Sequence, residues 1–197
     1  MQDLIYGFKD SCGCGIIANI DAKPDAQIKD DALTALSRMM HRGAIAADGK
    51  SGDGCGILTA MPHDFMKTIA LVNGFSLPKK YAVGSIFFTN KNQKKVFEKA
   101  LKKYDLKLLF YREVPVNTEF LGEQALQSLP ELKHAFIIPN SPVAEQRFEQ
   151  FLYLCRKYTE NNLPRDEEFY IASLSPHIIS YKGLVKPDLL KDFYLDL

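Results

Sequence analysis

Apolar residues along the chain recur at two different spacings, and the spacing assigns each segment to a helix or a strand. Recurrence every three or four positions predicts amphipathic helices at residues 26–40, 63–72, 92–104, 123–128, 142–161 and 187–194. Short runs rich in β-branched and aromatic residues predict strands at 15–20, 57–61, 81–89, 106–112, 134–138, 168–174 and 178–181. We expect the 15–20 strand to be buried and the last two strands to form a hairpin-like pair around Ser175 and Pro176. Together these elements predict one α+β domain.

The longest predicted helix, 142–161, has one apolar face. Its members are Phe148, Phe151, Leu152 and Cys155. Because they recur at helical spacing, we expect them to face the core and Cys155 to be an inert, buried thiol. Pro142 is expected near the first turn, where a helix tolerates proline.

Composition and charge exclude several classes of function. Hydrophobic residues make up 46% of the chain and charged residues 25%, which is typical of a globular protein in water. The net charge of +1 gives no electrostatic reason to expect nucleic acid or an anionic membrane as a partner. The lysine pairs at 79–80, 94–95 and 102–103 are interpreted as solvated surfaces. Residues 1–11 contain two acids and no long apolar run, so they do not resemble a secretory signal.

The four cysteines, at positions 12, 14, 55 and 155, are too few and too irregularly spaced for a disulfide framework. Free thiols in a reducing cytoplasm are therefore expected. A zinc site would need paired ligands, and no second pair accompanies Cys12 and Cys14, so we expect no metal site. Cys14 lies two positions after Cys12, so in extended backbone the two side chains would point to the same side, and Cys14 is interpreted as a small hydrophobic residue.

The glycine-rich stretch 48–56 lacks the Gly-x-x-x-x-Gly-Lys-Ser/Thr order and precedes a strand, so it predicts a turn rather than a phosphate site. Asp53, between two glycines, is expected to hydrogen-bond its own loop. His41 and Arg42 follow the first helix, where the helix dipole favours basic residues. Arg42 could instead hold an anionic group near an active site.

Cys12 has two interpretations. If residues 1–11 were removed, it would carry a free α-amine, with a pKa of about 7.7–8.0, beside a thiol with a pKa of about 8.5. Nucleophile and base would then belong to a single residue. Alternatively, Cys12 is a small residue in a glycine-rich turn. The local sequence, taken alone, favours this second interpretation.

Eight short segments, taken in order, change this interpretation. They are DSCGCG at 10–15, MHRGA at 40–44, DGKSGDGCG at 48–56, PHDF at 62–65, YREVPVN at 111–117, LGEQA at 121–125, FYIASLS at 169–175 and YKG at 181–183. Together they resemble the class II glutamine amidotransferase domain at the N-terminus of the large subunit of glutamate synthases. The resemblance covers essentially the whole chain, and segments 111–117 and 121–125 resemble glutamate synthases in particular.

The resemblance implies an N-terminal-nucleophile hydrolase with a four-layer α/β/β/α sandwich, incomplete here at the C-terminal side. Residues 1–11 would be a propeptide, and 12–197 the N-terminal part of the amidotransferase domain. Cys12 would attack the side-chain amide of glutamine and form a glutamyl thioester, with its own α-amine as the proton shuttle. Arg42 would bind the substrate or support the site.

In the complete enzyme, the resemblance implies that ammonia passes to a flavin domain that makes glutamate from 2-oxoglutarate. FMN and an iron–sulfur cluster are implied for regions outside this chain, which is expected to hold no cofactor or metal itself. The remaining domains of the large subunit and a small reductase subunit are the implied partners. Nucleic acid and membranes are not expected as partners.

Two motifs of the family do not occur before Leu197: the arginine segment that binds glutamine and the Asn-Gly segment of the oxyanion hole. Asn73-Gly74 lies at a predicted helix end, so we do not assign it to the oxyanion hole. We expect the chain alone to be a fragment with weak or no glutaminase activity. One alternative is a non-catalytic truncated or split fragment that acts only with a partner chain carrying the missing half. Another is a class II amidotransferase with a different ammonia acceptor.

Overall fold

The computed structural model describes residues 13–21, 23, 25–40, 48–164 and 168–197. The strands are β1 (Cys55–Ala60), β2 (Ala82–Phe88), β3 (Leu106–Glu113), β4 (Glu131–Pro139), β5 (Tyr170–Ser175) and β6 (Ile178–Gly183). The helices are α1 (Ala26–Arg38), α2 (His63–Val72), α3 (Lys91–Lys103), α4 (Glu123–Gln127), α5 (Glu145–Asn161) and α6 (Leu190–Phe193). Short 3₁₀ turns lie at Thr118–Phe120 and Pro187–Leu189. Apart from the 15–20 strand, every predicted helix and strand is present; the helix at 63–72 has the predicted ends, and the ends of the others are shifted.

The chain divides into two compact units. The first unit comprises Met1–Ile57, Val116–Ser128 and Lys182–Leu197, and the second comprises Leu58–Pro115 and Leu129–Tyr181. Helices combine with an antiparallel sheet, so the α+β class is confirmed.

The second unit contains a four-stranded antiparallel sheet in the order β3-β4-β2-β5. Helices α3 and α5 pack on one face of this sheet around a single apolar core. Phe97, Phe148 and Cys155 are completely buried there, and Phe151 packs against the core while remaining partly exposed. The apolar stripe predicted for the longest helix is therefore confirmed, because its members cover the sheet.

Side chains within the turns fix where the helices of the second unit begin and end. The Asn90 side chain accepts a hydrogen bond from Gln93 N at 3.1 Å, and Gln93 Oε1 accepts one from Thr89 N at 2.8 Å. This reciprocal cap satisfies backbone donors at the start of α3. At the end of α2, Asn73 is the cap residue and Gly74 has a φ of +80°. The Asn-Gly pair therefore terminates a helix, as predicted.

In the first unit, hydrogen bonds join segments that are distant in sequence. The Lys29 side chain of α1 donates to the backbone oxygen of Leu197, and Lys191 Nζ lies 3.2 Å from Asp30 Oδ1. Asn117 N donates to Phe193 O at 2.8 Å, and the Tyr194 hydroxyl donates to Lys182 O at 2.5 Å. These bonds hold the C-terminal segment against α1 and the 116–117 loop.

The prediction of a buried strand at 15–20 is wrong. Ile16 is 93% exposed and Ile20 is fully exposed, and in the described part of the chain no strand pairs with this segment. The hydrogen bonds here are local, since Asn19 Oδ1 accepts from Asp21 N at 3.0 Å. Such side-chain bonds compete with strand pairing. Cys14 is exposed rather than packed as a small hydrophobic residue.

Two further expectations need correction. Strands β5 and β6 follow each other around Ser175 and Pro176, yet they belong to different sheets, since β5 pairs with β2 and β6 with β1. They do not form a hairpin, because each pairs with a strand distant in sequence. Helix α5 begins at Glu145, directly after Ala144, so Pro142 precedes the helix instead of lying in its first turn. The residue before a proline favours extended backbone, which is consistent with the later start.

Candidate functional site

Both predicted site residues, Cys12 and Arg42, lie outside the described residues. Their roles therefore remain predictions. The described residues that come next in the chain are Gly13, directly after Cys12, and Asp48, six positions after Arg42. The structure thus defines the glycine-rich loop that begins at Asp48.

Asp48 organises the glycine-rich loop. Its Oδ1 accepts hydrogen bonds from the backbone N–H groups of Lys50 at 2.9 Å and Ser51 at 2.7 Å. Its Oδ2 accepts a hydrogen bond from Ser51 Oγ at 2.5 Å. The Ser51 hydroxyl, followed by these backbone donors, lowers the pKa of Asp48 to about 2. The carboxylate is therefore charged at neutral pH.

The same carboxylate reaches the start of α4. The backbone N–H of Gln124, the second residue of that helix, also lowers the pKa of Asp48. First-turn backbone N–H groups lack partners within their own helix, so a carboxylate there satisfies a donor and complements the helix dipole. Asp48 consequently joins two of the quoted motif segments, 48–56 and 121–125.

Gly122 permits this close approach. A Cβ atom at position 122 would lie 2.2 Å from Asp48 Oδ2 and 2.3 Å from Ser51 Oγ, well inside any real contact distance. The backbone φ of Gly122 is −80°, which any residue can adopt, so the requirement for glycine comes from space alone. We call Asp48, Ser51, Gly122 and Gln124 the Asp48 cluster.

The glycine-rich pattern draws attention to Asp53, whereas the carboxylate shown to organise the loop is Asp48. The signal that could have identified Asp48 is its place two and three residues before the backbone donors of Lys50 and Ser51, the spacing of an Asx turn. Strand β1 follows the loop, as predicted.

Two of the described thiols are unsuited to nucleophilic chemistry. Cys55 Sγ lies 3.2 Å from Val185 O, and burial, with a smaller contribution from Asp188, raises the pKa of Cys55 to about 12. Burial likewise raises the pKa of Cys155 to about 12. Because the thiolate is the nucleophile, neither residue supplies one near neutral pH. The prediction that Cys155 is buried and inert is confirmed.

The second unit contains a row of polar side chains that crosses the four-stranded sheet. Arg112 on β3 is paired with His134 on β4, His134 with Ser85 on β2, and Ser85 with Ser173 on β5. His134 is completely buried, and Ser85 and Ser173 are 4% exposed. Strand side chains alternate between faces, so this row lies on the face opposite the apolar core.

Several of the quoted motifs converge around His134. Arg112 Nη1 lies 3.4 Å from His134 Nδ1, and the Arg112 guanidinium carbon is 5.9 Å from the centre of the Phe65 ring. The Tyr181 ring meets the His134 ring edge-on at 5.7 Å. Segments 62–65, 111–117 and 181–183 therefore contribute to one local arrangement. His134 itself was not among the candidate residues, and its one sequence signal is a histidine within an apolar strand.

The described residues contain no group of three His, Cys, Asp or Glu side chains that could hold a metal ion. Within the same residues, no helix is both long and apolar enough to cross a membrane.

Comparison with known proteins identifies what this chain is similar to. The family model described as "Glutamine amidotransferases class-II" matches residues 12–197. The NADPH glutamate synthase large chain of Azospirillum brasilense is 36% identical over 197 residues, covering 95% of this chain and 13% of that protein. Ferredoxin-dependent glutamate synthase 1 of Arabidopsis thaliana is 36% identical, covering 98% of this chain and 12% of that protein. The NADH glutamate synthase of Saccharomyces cerevisiae is also 36% identical, covering 95% and 10%. The chain thus spans about an eighth of the length of the first two relatives.

Proposed function

Because this chain belongs to the class-II glutamine amidotransferases, a family of N-terminal-nucleophile hydrolases, we propose that it hydrolyses glutamine with Cys12 as the nucleophile. One observation carries the proposal: the family match extends over residues 12–197 and begins at Cys12 itself. The chemistry of the other thiols supports it, since burial keeps Cys55 and Cys155 protonated near neutral pH.

In the proposed reaction, removal of residues 1–11 exposes the α-amine of Cys12. The amine accepts the thiol proton, and the sulfur attacks the side-chain amide carbon of glutamine. The carbon–nitrogen bond breaks as the amine returns the proton to the leaving nitrogen, which departs as ammonia. Water then cleaves the glutamyl thioester and releases glutamate. Arg42 is proposed to bind the substrate or support the site.

We further propose that the ammonia is passed on to 2-oxoglutarate, in the reducing cytoplasm, by a protein that contains domains beyond those of this chain. The support is similarity to glutamate synthases over at least 95% of this chain in the three relatives compared. FMN, an iron–sulfur cluster and a reductase subunit would belong to those other regions. The described residues do not fit a metal cluster, so no step is assigned to one here.

Glutamine hydrolysis by the purified chain tests the proposal. We expect weak glutamate release from the wild type and none above background in Cys12→Ala, because the covalent step is removed. Cys14→Ser is the matched control, since it removes an exposed thiol two positions away and should leave the activity unchanged. Mass spectrometry of the active protein should show Cys12 as the first residue.

Two results would contradict the proposal. One is undiminished activity in Cys12→Ala. The other is equal activity in chains that retain Met1, since the α-amine would then not be free. A complete lack of turnover in a correctly processed, folded chain would instead favour the non-catalytic alternative.

A further inference from the structure

A cavity of about 390 Å³ lies in the second unit, between α3 and the beginning of β3. Its apolar lining consists of Leu101, Leu106 and Leu108. Its polar lining consists of Glu98, Lys102, Lys107 and Asn140. This volume lies within the range of roughly 300–1,000 Å³ that is typical of small-molecule sites.

The cavity walls belong to regular structure. Leu101 and Leu106 are each 1% exposed, and Leu106 is paired with Pro139 in the sheet. Asn140 N donates to Asp105 O at 2.9 Å, which ties the end of β4 to the turn between α3 and β3. A ligand would therefore meet walls that are already in place, which lowers the entropic cost of binding.

The charged groups of the lining do not neutralise one another. Glu98 and Lys102 lie one helical turn apart, in the order that favours an ion pair on a helix. Yet within the described residues neither forms an ion pair, and neither does Lys107. One carboxylate and two ammonium groups thus line the same cavity without opposing partners.

The charges also lie at different depths. Glu98 is half-buried, and its carboxylate is near the buried hydroxyl of Tyr111, whose pKa is raised first by burial and then by Glu98. Lys102 and Lys107 are exposed. A half-buried carboxylate and two exposed ammonium groups therefore line the same cavity beside an apolar surface.

We propose that this cavity binds a zwitterionic α-amino acid with an aliphatic side chain. Its ammonium group would face Glu98, its carboxylate would face Lys102 and Lys107, and its side chain would cover the three leucines. A simple anion fits less well, because Glu98 repels it and the leucine side chains form no favourable contact with it. An added peptide strand also fits less well, because β3 has a register irregularity between Leu108 and Phe110, and irregular edges disfavour strand addition.

Titration of the full chain with leucine, followed by NMR of the backbone amides, tests the proposal. We expect a dissociation constant of roughly 1 mM, as for other weak complexes, with shifts confined to the amides of residues 98–108 and 138–140. Two analogues of leucine separate the contributions of its two charged groups to binding. The analogue 4-methylpentanoate lacks the ammonium group, and isoamylamine lacks the carboxylate. Each should bind at least tenfold more weakly than leucine. Equal binding of 4-methylpentanoate would overturn the proposal in favour of an anion site, and an absence of shifts at 20 mM leucine would exclude any site.

Substitutions of the charged lining residues test which group of the ligand each residue contacts. Glu98→Gln should weaken leucine at least fivefold without weakening 4-methylpentanoate, and the Lys102→Met/Lys107→Met pair should weaken leucine without weakening isoamylamine. Lys99→Met is the matched control, since Lys99 lies on α3 but does not line the cavity. An equal loss in Lys99→Met would show that only overall charge matters and would overturn the proposal. All readouts measure binding, so the result does not depend on glutaminase activity.

Discussion

In the second unit, α3 and α5 bury large apolar side chains against a sheet, whereas in the first unit hydrogen bonds join segments that are distant in sequence. Among the residues that the structure describes, the twelve largest side chains with under 2% exposure illustrate the contrast, because only Phe193 among them belongs to the first unit. The second unit is thus stabilised chiefly by burial. The loop that follows the predicted site residue Arg42 depends more on specific hydrogen bonds than on burial. A single substitution can therefore disrupt it.

The largest effect is expected in the apolar core. Phe148→Ala should lower the free energy of unfolding by about 3–5 kcal/mol, since it removes a completely buried ring and leaves a cavity. Urea unfolding followed by circular dichroism measures the change. Tyr153→Ala on the same helix is the control, because Tyr153 is 60% exposed and its loss should cost little. Equal losses in the two variants would show that burial in this core is not what stabilises the second unit.

A smaller but more local effect is expected at the Asp48 cluster. Gly122→Ala should destabilise the protein by about 1–3 kcal/mol, because the new Cβ would collide with Asp48 Oδ2 and Ser51 Oγ. Urea unfolding again provides the measurement. Gly15→Ala is the matched control, since a Cβ there would meet nothing within 4 Å.

A double-mutant cycle identifies the cause of the Gly122→Ala effect. In a protein that carries Asp48→Ala and Ser51→Ala, the cost of Gly122→Ala should largely disappear, because the colliding atoms are gone. An unchanged cost in that background would mean that the close approach of these side chains is not the source of the strain.

The smallest effect is expected from the charge of Asp48. Its folded-state pKa of about 2 lies below the ordinary value near 3.9, so its hydrogen bonds add stability above the unfolded pKa. That contribution should be constant above about pH 5 and should be lost as the pH falls through about 4 towards 2. The difference in urea midpoint between wild type and Asp48→Asn measures it. A difference that does not change between pH 6 and pH 3 would rule out this ionisation as its origin.

Local periodicity was sufficient to predict the helices. Helices α2 and α3 lie within about one residue of the predicted ends, because their apolar stripes and cap residues are all close in sequence. The strand at 15–20 was mispredicted, because an apolar run does not show whether a neighbouring strand exists. The same limit applies to the β5–β6 pair, since spacing alone does not reveal which strand each one joins.

The residues of the candidate site likewise differ in how far the sequence predicts them. Cys12 and Arg42 were identified by resemblance to a family and remain predictions, since both lie outside the described residues. The local Asx-turn spacing could have identified Asp48, but its contact with Gln124, and the contact of His134 with Arg112, join residues more than 20 positions apart, which no local pattern reveals. The glycine at position 122 is explained only once Asp48 and Ser51 are known to lie against it.

The raised pKa values of Cys55 and Cys155 also have a practical consequence for chemical labelling. A maleimide near neutral pH reacts with thiolates, and these two thiols supply almost none. Among the thiols that the structure describes, Cys14 alone is exposed. In a Cys12→Ala background, because Cys12 is itself the proposed reactive thiol, a probe attached there would report on the chain two positions from the nucleophile, without any cysteine having to be removed from the core.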